Sequence, residues 1–238
     1  LTPTLWPAPL YVDVRDPAVS AHPEWFLRTL DGEMRVFHQL TGTSVATLDV
    51  THEGARAFLE GQLRALRAAG YRAFKLDFLY AGAVEGLRHE PVTALEAYAV
   101  AMRTLRDALG DAHVLGCGAP ILPSVGWVDS MRVGPDIAFA FLPEPEVRLY
   151  TGEARHTAVR AFSDAWWSLD PDVILLRGDQ IDDVDAWTVA VSGALAGGNF
   201  LLGDGRQAGD LRARMATHRE LLAMRDGRAA RARDLTAA

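Results

Sequence analysis

Short apolar runs alternate with amphipathic stretches along the whole chain. Runs rich in β-branched and aromatic residues read as strands, whereas apolar positions three and four apart read as helices. Strands are expected at residues 5–12, 45–50, 73–79, 113–117, 130–133, 172–176 and 199–202. The first long helix carries Ala55, Leu59, Leu63 and Leu66 on one face and stops at Gly70, a residue suited to the left-handed C-terminal position. The second presents Leu95, Tyr98, Ala99, Met102, Leu105 and Leu109, with Pro91 near its start and Gly110 after its end. Further helices are expected over residues 153–168, 182–197 and 210–225. The arginines at 212, 214, 219 and 225 in the last of these read as a solvated face.

Strands and helices in βα succession give either an open doubly wound sheet or a closed (β/α)8 barrel of the TIM type. No glycine-rich phosphate turn follows any expected strand, because the glycines at 116 and 118 lack the continuation of a dinucleotide fingerprint. The chemically loaded residues instead fall at the C-terminal ends of expected strands: Trp6, Asp49, Asp77, Cys117, Asp136 and the stretch 177–179. A barrel brings all such ends to one face, which favours the barrel. About six of the strands suit it, since 45–50 also reads as a loop extension feeding the first helix. Two of the eight are therefore expected to be absent. The chain opens on Leu1 and enters a strand-like run almost at once, so its natural N-terminus is expected upstream. Residues 1–205 are read as the partial barrel, and 206–238 as a C-terminal helix with the start of a linker.

Composition narrows the partners. The chain has 238 residues, of which 49% are hydrophobic and 23% charged, and its net charge of −7 disfavours nucleic acid as a partner. It is long enough to bury one large α/β core. No run approaches eighteen apolar residues, so no membrane span is expected. The single cysteine, Cys117, excludes an internal disulfide and fits a cytoplasmic location. Seven histidines show no zinc-binding spacing, and no metal site is expected.

Two aspartates carry the candidate chemistry. Lys75 and Asp77 are two apart, so on a strand they leave one face while Phe74, Leu76 and Phe78 leave the other. An ion pair directed inward is costly unless paired and hydrogen-bonded, and such groups gather at functional sites. Asp136 follows the strand at 130–133, with Arg132 four residues before it. Retaining hydrolysis of a glycosidic bond needs one carboxylate as nucleophile and a second carboxyl as acid and then base, about 5–5.5 Å away. Lys75 and Arg132 suit such a site by favouring the ionised form of a nearby carboxylate. Trp6, Trp127, Trp166 and Trp167 offer platforms for a sugar ring, although an isolated tryptophan is more often core. The Lys75–Asp77 pair also suits an enolase-type barrel, but the later strands lack the ring of acidic residues that would hold magnesium. An ordinary buried ion pair remains the structural alternative.

Three runs then point to a family. GYRAFKLDFLYAG (70–82), LGCGAPILPSVG (115–126) and VDSMRVGPD (128–136) resemble the catalytic domain of bacterial α-galactosidases of glycoside hydrolase family 36. The resemblance extends through LWPAP (5–9), HPEW (22–25), LDVT (48–51), LDPD (169–172) and LLR (175–177). It implies a (β/α)8 barrel, a double-displacement mechanism and no cofactor. It makes Asp77 the nucleophile and Asp136 the acid/base. Lys75 and Arg132 would contact galactose hydroxyls, Trp6 would pack near the sugar, and Cys117 would line the pocket. The implied partner is an α-galactoside oligosaccharide, and the full-length protein would form a homo-oligomer. Cys117 also reads as a small buried residue, Asp170 and Asp172 as turn residues around Pro171 no less than as sugar ligands, and His22 and Trp25 as organisers of a loop.

The sequence departs from the family in three places. The family's first two strands, with a paired-aspartate segment that grips galactose, precede Leu1. IAFAF (137–141) replaces a run that leads to a tryptophan, and GDG (203–205) replaces Ser-Asp-Asp. These departures suggest an altered pocket mouth and substrate range, and a segment that is unstable or weakly active alone. A related α-N-acetylgalactosaminidase, a galactosyl-transferring enzyme and a non-catalytic carbohydrate-binding fragment are the alternative readings.

Overall fold

In the computed structural model, described over residues 2–39, 42–137, 148–175 and 183–203, the chain divides into two compact units, Leu1–Asp129 and Ser130–Ala238. The first unit holds a parallel ribbon in which β5 (Ala73–Leu76) pairs on one side with β1 (Thr4–Leu5) and on the other with β6 (His113–Gly116). Beside it runs an antiparallel sheet in which β4 (Ser44–Thr47) lies between β2 (Tyr11–Asp13) and β3 (Val36–His38). Helix α1 (Pro17–Ala21) is a single turn capped by Asp16. The long helices α2 (Glu53–Ala68) and α3 (Ala94–Leu109) pack on each other.

Both long helices match the sequence reading, with one revision. Ala55, Leu59 and Leu63 are buried in α2, and Gly70 beyond it has φ +104°. Thr93 caps α3 in a reciprocal box with Glu96, and Gly110 ends it at φ +58°. The Glu96 carboxyl is held below its ordinary range by the Thr93 amide and then by the Thr93 hydroxyl. Leu95, expected on the buried face, is exposed, and so is Ala99. The buried face is instead lined by Ala94, Ala97, Tyr98, Ala101, Met102, Leu105, Ala108 and Leu109. A leucine drew the expected stripe toward itself, whereas small alanines set the face that packs.

Two strand expectations also change. The run 5–12 is broken, because Pro7 and Pro9 offer no amide donors and the chain turns between β1 and β2. The run 45–50 is indeed a strand at its start, but an antiparallel one outside the parallel ribbon.

In the second unit β7 (Ser130–Arg132) pairs in parallel with β8 (Ser168–Asp170), and β9 (Val173–Ile174) with β10 (Leu201–Leu202). Helix α4 (Arg148–Arg160) packs on α5 (Asp183–Leu195). A core of Ile137, Ile174, Leu175, Ala186, Val189, Ala190 and Ala194 is closed by Val173, Val191 and Phe200. The helix expected over 153–168 stops at Arg160, followed by a 3-10 turn, Ala161–Ala165, and then β8, which the sequence reading did not separate. The fold is α/β with parallel strands and intervening helices. Among the described residues the strands of neither unit close into a ring. The expected helix over 210–225, the stretch 177–179 and the boundary at 205–206 lie outside the described residues.

Candidate active site

Asp77 sits where β5 stops. Its amide donates to the Pro7 carbonyl at 3.0 Å, which carries the β1–β5 pairing past the last strand residue. Phe78 then adopts a left-handed conformation, φ 55° and ψ 34°, and turns the chain away from the sheet. Both oxygens of the Asp77 carboxylate receive a donor. The Phe78 amide donates to Oδ1 at 2.7 Å, and Trp6 Nε1 donates to Oδ2 at 3.0 Å. Trp6 is 59% exposed, so this contact lies at the surface of the first unit.

The turn after Asp77 is stitched to the end of β6. Leu79 and Tyr80 donate their amides to the carbonyls of Cys117 and Gly118 at 3.2 and 2.7 Å, and the Cys117 amide donates to Leu76 at 2.8 Å. Gly118 has φ +56°, and a Cβ there would lie 3.3 Å from Phe78 Cα. Cys117 is buried. The Tyr11 ring stacks on Phe37 at 5.9 Å and meets Phe78 and Tyr80 at 5.9 and 6.4 Å. Burial, and then the hydrogen bond with Tyr80, raise the Tyr11 hydroxyl well above the usual phenol range.

Lys75 is half-buried and alternates with the fully buried Phe74 and Leu76, as the strand reading requires. Among the described residues it forms no ion pair with Asp77, contrary to expectation. The indole and the Phe78 amide take the carboxylate oxygens instead.

The second unit builds its own charged centre. The Arg132 side chain, 3% exposed, leaves the end of β7 and places Nη2 near three oxygens: Asp172 Oδ2 at 2.6 Å, Pro135 O at 2.7 Å and Asp136 Oδ1 at 2.8 Å. Asp136 is 52% exposed, whereas Asp172 is 9% exposed. Asp172 Oδ2 also accepts the Ile137 amide at 2.8 Å, and Asp170 Oδ1 accepts the Asp172 amide at 3.1 Å. Asp172 has φ +75°, a left-handed backbone that aspartate tolerates better than most residues. The sequence reading left it between a turn around Pro171 and sugar binding, and missed its pairing with Arg132. The available signal was an aspartate wedged between a proline and an apolar run, in a place where an exposed turn residue would not be expected.

Other candidates are structural. Trp167 is buried with Nε1 on the Ser163 hydroxyl at 3.3 Å, so it is core and not a sugar platform. Trp166 packs edge-on against Trp167 and Phe162, and Trp127 is half-buried with its carbonyl bound by Arg106. His22 stacks on Trp25 at 3.8 Å, and Trp25 lies against Gly54, as expected of loop organisers. Asp49 is buried and accepts the Thr51 amide and hydroxyl and the His89 amide, which ties a distant loop to the entry of α2. Among the described residues no cluster of His, Cys, Asp or Glu is placed to hold a metal ion, and no helix is long and apolar enough to cross a membrane.

No protein-family model matches the chain. The structure is similar to an α-galactosidase from Thermus thermophilus in complex with stachyose, with 27% identity over 91% of this chain and 48% of that one, at a TM-score of 0.75. A Thermus thermophilus α-galactosidase in complex with p-nitrophenyl α-D-galactopyranoside gives 29% identity over 91% and 47%, at 0.73. The family 36 α-galactosidase from Geobacillus stearothermophilus shares the fold at 13% identity over 93% and 31%, at 0.57. The chain spans about half the length of the two Thermus chains. Taken with the motifs around Asp77, Cys117 and Asp136, these likenesses bear out the resemblance read from the sequence: the structure is similar to α-galactosidases and shares its fold with a family 36 member.

Proposed function

We propose that this chain carries the catalytic centre of a retaining α-galactosidase whose strands belong to a (β/α)8 barrel. The observation behind the reading is Asp77 at the C-terminal end of a parallel strand, with each carboxylate oxygen oriented by one donor. A nucleophile needs that fixed approach, because effective molarity depends on holding the reacting atoms in line. In the first step an Asp77 oxygen attacks the anomeric carbon while the protonated Asp136 gives its proton to the departing glycosidic oxygen. The C–O bond to the leaving group breaks as the ester bond to Asp77 forms. In the second step Asp136, now ionised, takes a proton from water, whose oxygen displaces Asp77 and releases galactose with its configuration retained. Lys75 binds sugar hydroxyls, Trp6 packs near the ring, and Cys117 lines the pocket, whereas the enclosed Arg132 serves the reaction by holding Asp136 and not by touching the sugar. Terminal α-galactosyl groups of oligosaccharides are the substrate class, and the chemistry needs no cofactor.

The test is azide rescue in the full-length gene product assayed with an aryl α-galactoside. Asp77→Gly should lose at least about 10³-fold in kcat, and azide should restore turnover with a β-galactosyl azide product. Asp136→Gly with azide should instead give the α-galactosyl azide. Undiminished activity in Asp77→Gly would exclude it as the nucleophile.

A further inference from the structure

The charged centre of the second unit holds more carboxylates than the proposed acid/base step uses. Arg132 Nη2 bears two hydrogens yet has three oxygens within 2.8 Å, so Asp172, Asp136 and the Pro135 carbonyl share them. The partners differ in permanence. Asp172 gives the shortest contact and is nearly enclosed, with its Oδ2 also fixed by the Ile137 amide. Asp136 is half in solvent. The other charged groups described around this centre are Asp170, which takes the Asp172 amide, and Arg160, whose guanidinium binds the Val133 carbonyl.

A buried guanidinium requires a compensating charge, and its removal leaves a costly uncompensated ion. In the proposed mechanism Asp136 is neutral on entering the first step and ionised afterwards, so it cannot supply that charge throughout. Resting on that reading, we propose that Asp172 is a positioning residue: it is a standing counter-ion of Arg132, and it leaves the Asp136 carboxyl free to hold a proton in one half-reaction and give it up in the next. Asp172 also fixes the backbone immediately after Asp136 through the Ile137 amide. Without its negative charge, Asp136 would carry a larger share of the balance of Arg132, and a neighbouring cation that is shared less favours the ionised carboxylate. The acid form of Asp136 would then be lost at lower pH.

The test is Asp172→Asn in the full-length protein, since asparagine keeps an acceptor for the Ile137 amide and tolerates the left-handed backbone. The alkaline limb of kcat/KM should move down by about one pH unit or more. At neutral pH, kcat/KM should fall about 10-fold or more for an α-galactoside with an alkyl leaving group, which needs the proton, but less than about twofold for a dinitrophenyl galactoside, which does not. An unmoved limb, or equal losses on both substrates, would overturn the proposal. Should the variant not fold, carboxyl carbon-13 NMR of the wild type decides: Asp172 must stay ionised through the range where Asp136 titrates, and titration of both in that range refutes the idea. Asp136→Ala is run in parallel. If it shows no leaving-group dependence, the acid/base assignment itself fails, whatever Asp172 does.

Discussion

Gly118→Ala tests whether the turn after Asp77 is held by close backbone packing. At φ +56° an alanine is strained by about 1 kcal/mol. Its Cβ would also press on Phe78 Cα and Tyr80 Cδ1 at 3.3 Å, closer than ordinary van der Waals contact. Backbone cannot rotate aside as a side-chain tip can, so a further cost of about 1 kcal/mol follows. Gly32→Ala is the control, because Gly32 also has a positive φ, +85°, but nothing within 4 Å of its added Cβ. At about 2–4 °C per kcal/mol for a chain of this size, the control should lower Tm by about 2–4 °C and Gly118→Ala by about twice that. The two should separate further in activity. Phe78 supplies the amide that orients Asp77, so its displacement should reduce kcat on an aryl α-galactoside by about 10-fold or more, while Gly32→Ala stays within about twofold. Equal Tm losses with full activity in both would show that Gly118 serves conformation alone and that the contact with Phe78 is slack.

Two further expectations concern stability. Tyr98 is fully buried, its hydroxyl lies 2.6 Å from Ser124 Oγ, and Ser124 in turn donates to the Pro120 carbonyl; Tyr98→Phe should cost about 1 kcal/mol in urea unfolding. Burial raises this hydroxyl from 10.0 to about 12 despite the Ser124 bond, so the native state keeps a proton that the unfolded chain releases. Stability from this group should be complete below pH 10 and fall as pH rises toward 12, and Tyr98→Phe should remove that part of the slope; an unchanged slope refutes the assignment. Gly198→Ala would overlap the Leu169 carbonyl and crowd its nitrogen, so it should cost about 3 kcal/mol or more and lower Tm by at least about 6 °C. A near-native Tm would mean that β8 yields easily there.

What the sequence conveyed was periodic or punctuated. The stripe at Ala55, Leu59 and Leu63 and the stop glycines at 70 and 110 gave both long helices almost to the residue. Leu95 misled because hydrophobicity was weighed without the alanines that let helices approach. The short strands β3 and β8 were missed because three residues carry too little pattern to separate strand from loop. At the candidate site, the alternation of Lys75 and Asp77 with Phe74 and Leu76 was legible as strand geometry. The contact between Trp6 and Asp77 was not, since a hydrogen bond spanning 71 positions leaves no trace in local spacing. Asp172 escaped for the same reason: its partner Arg132 is forty residues earlier in the chain.

That long-range contact bears on where the polypeptide tolerates joining and cutting. Exposed segments with few tertiary contacts are ordinarily free ground for tags and insertions. The stretch from Thr4 to Pro7 is not, because it supplies a strand to β5, a carbonyl to the Asp77 amide and an indole to the Asp77 carboxylate. A cut or insertion there would act on the candidate nucleophile as directly as a substitution beside it. The turn at residues 30–33 is the contrasting position, since Leu30 is 82% exposed and Gly32 has open space around it. Foreign sequence belongs there.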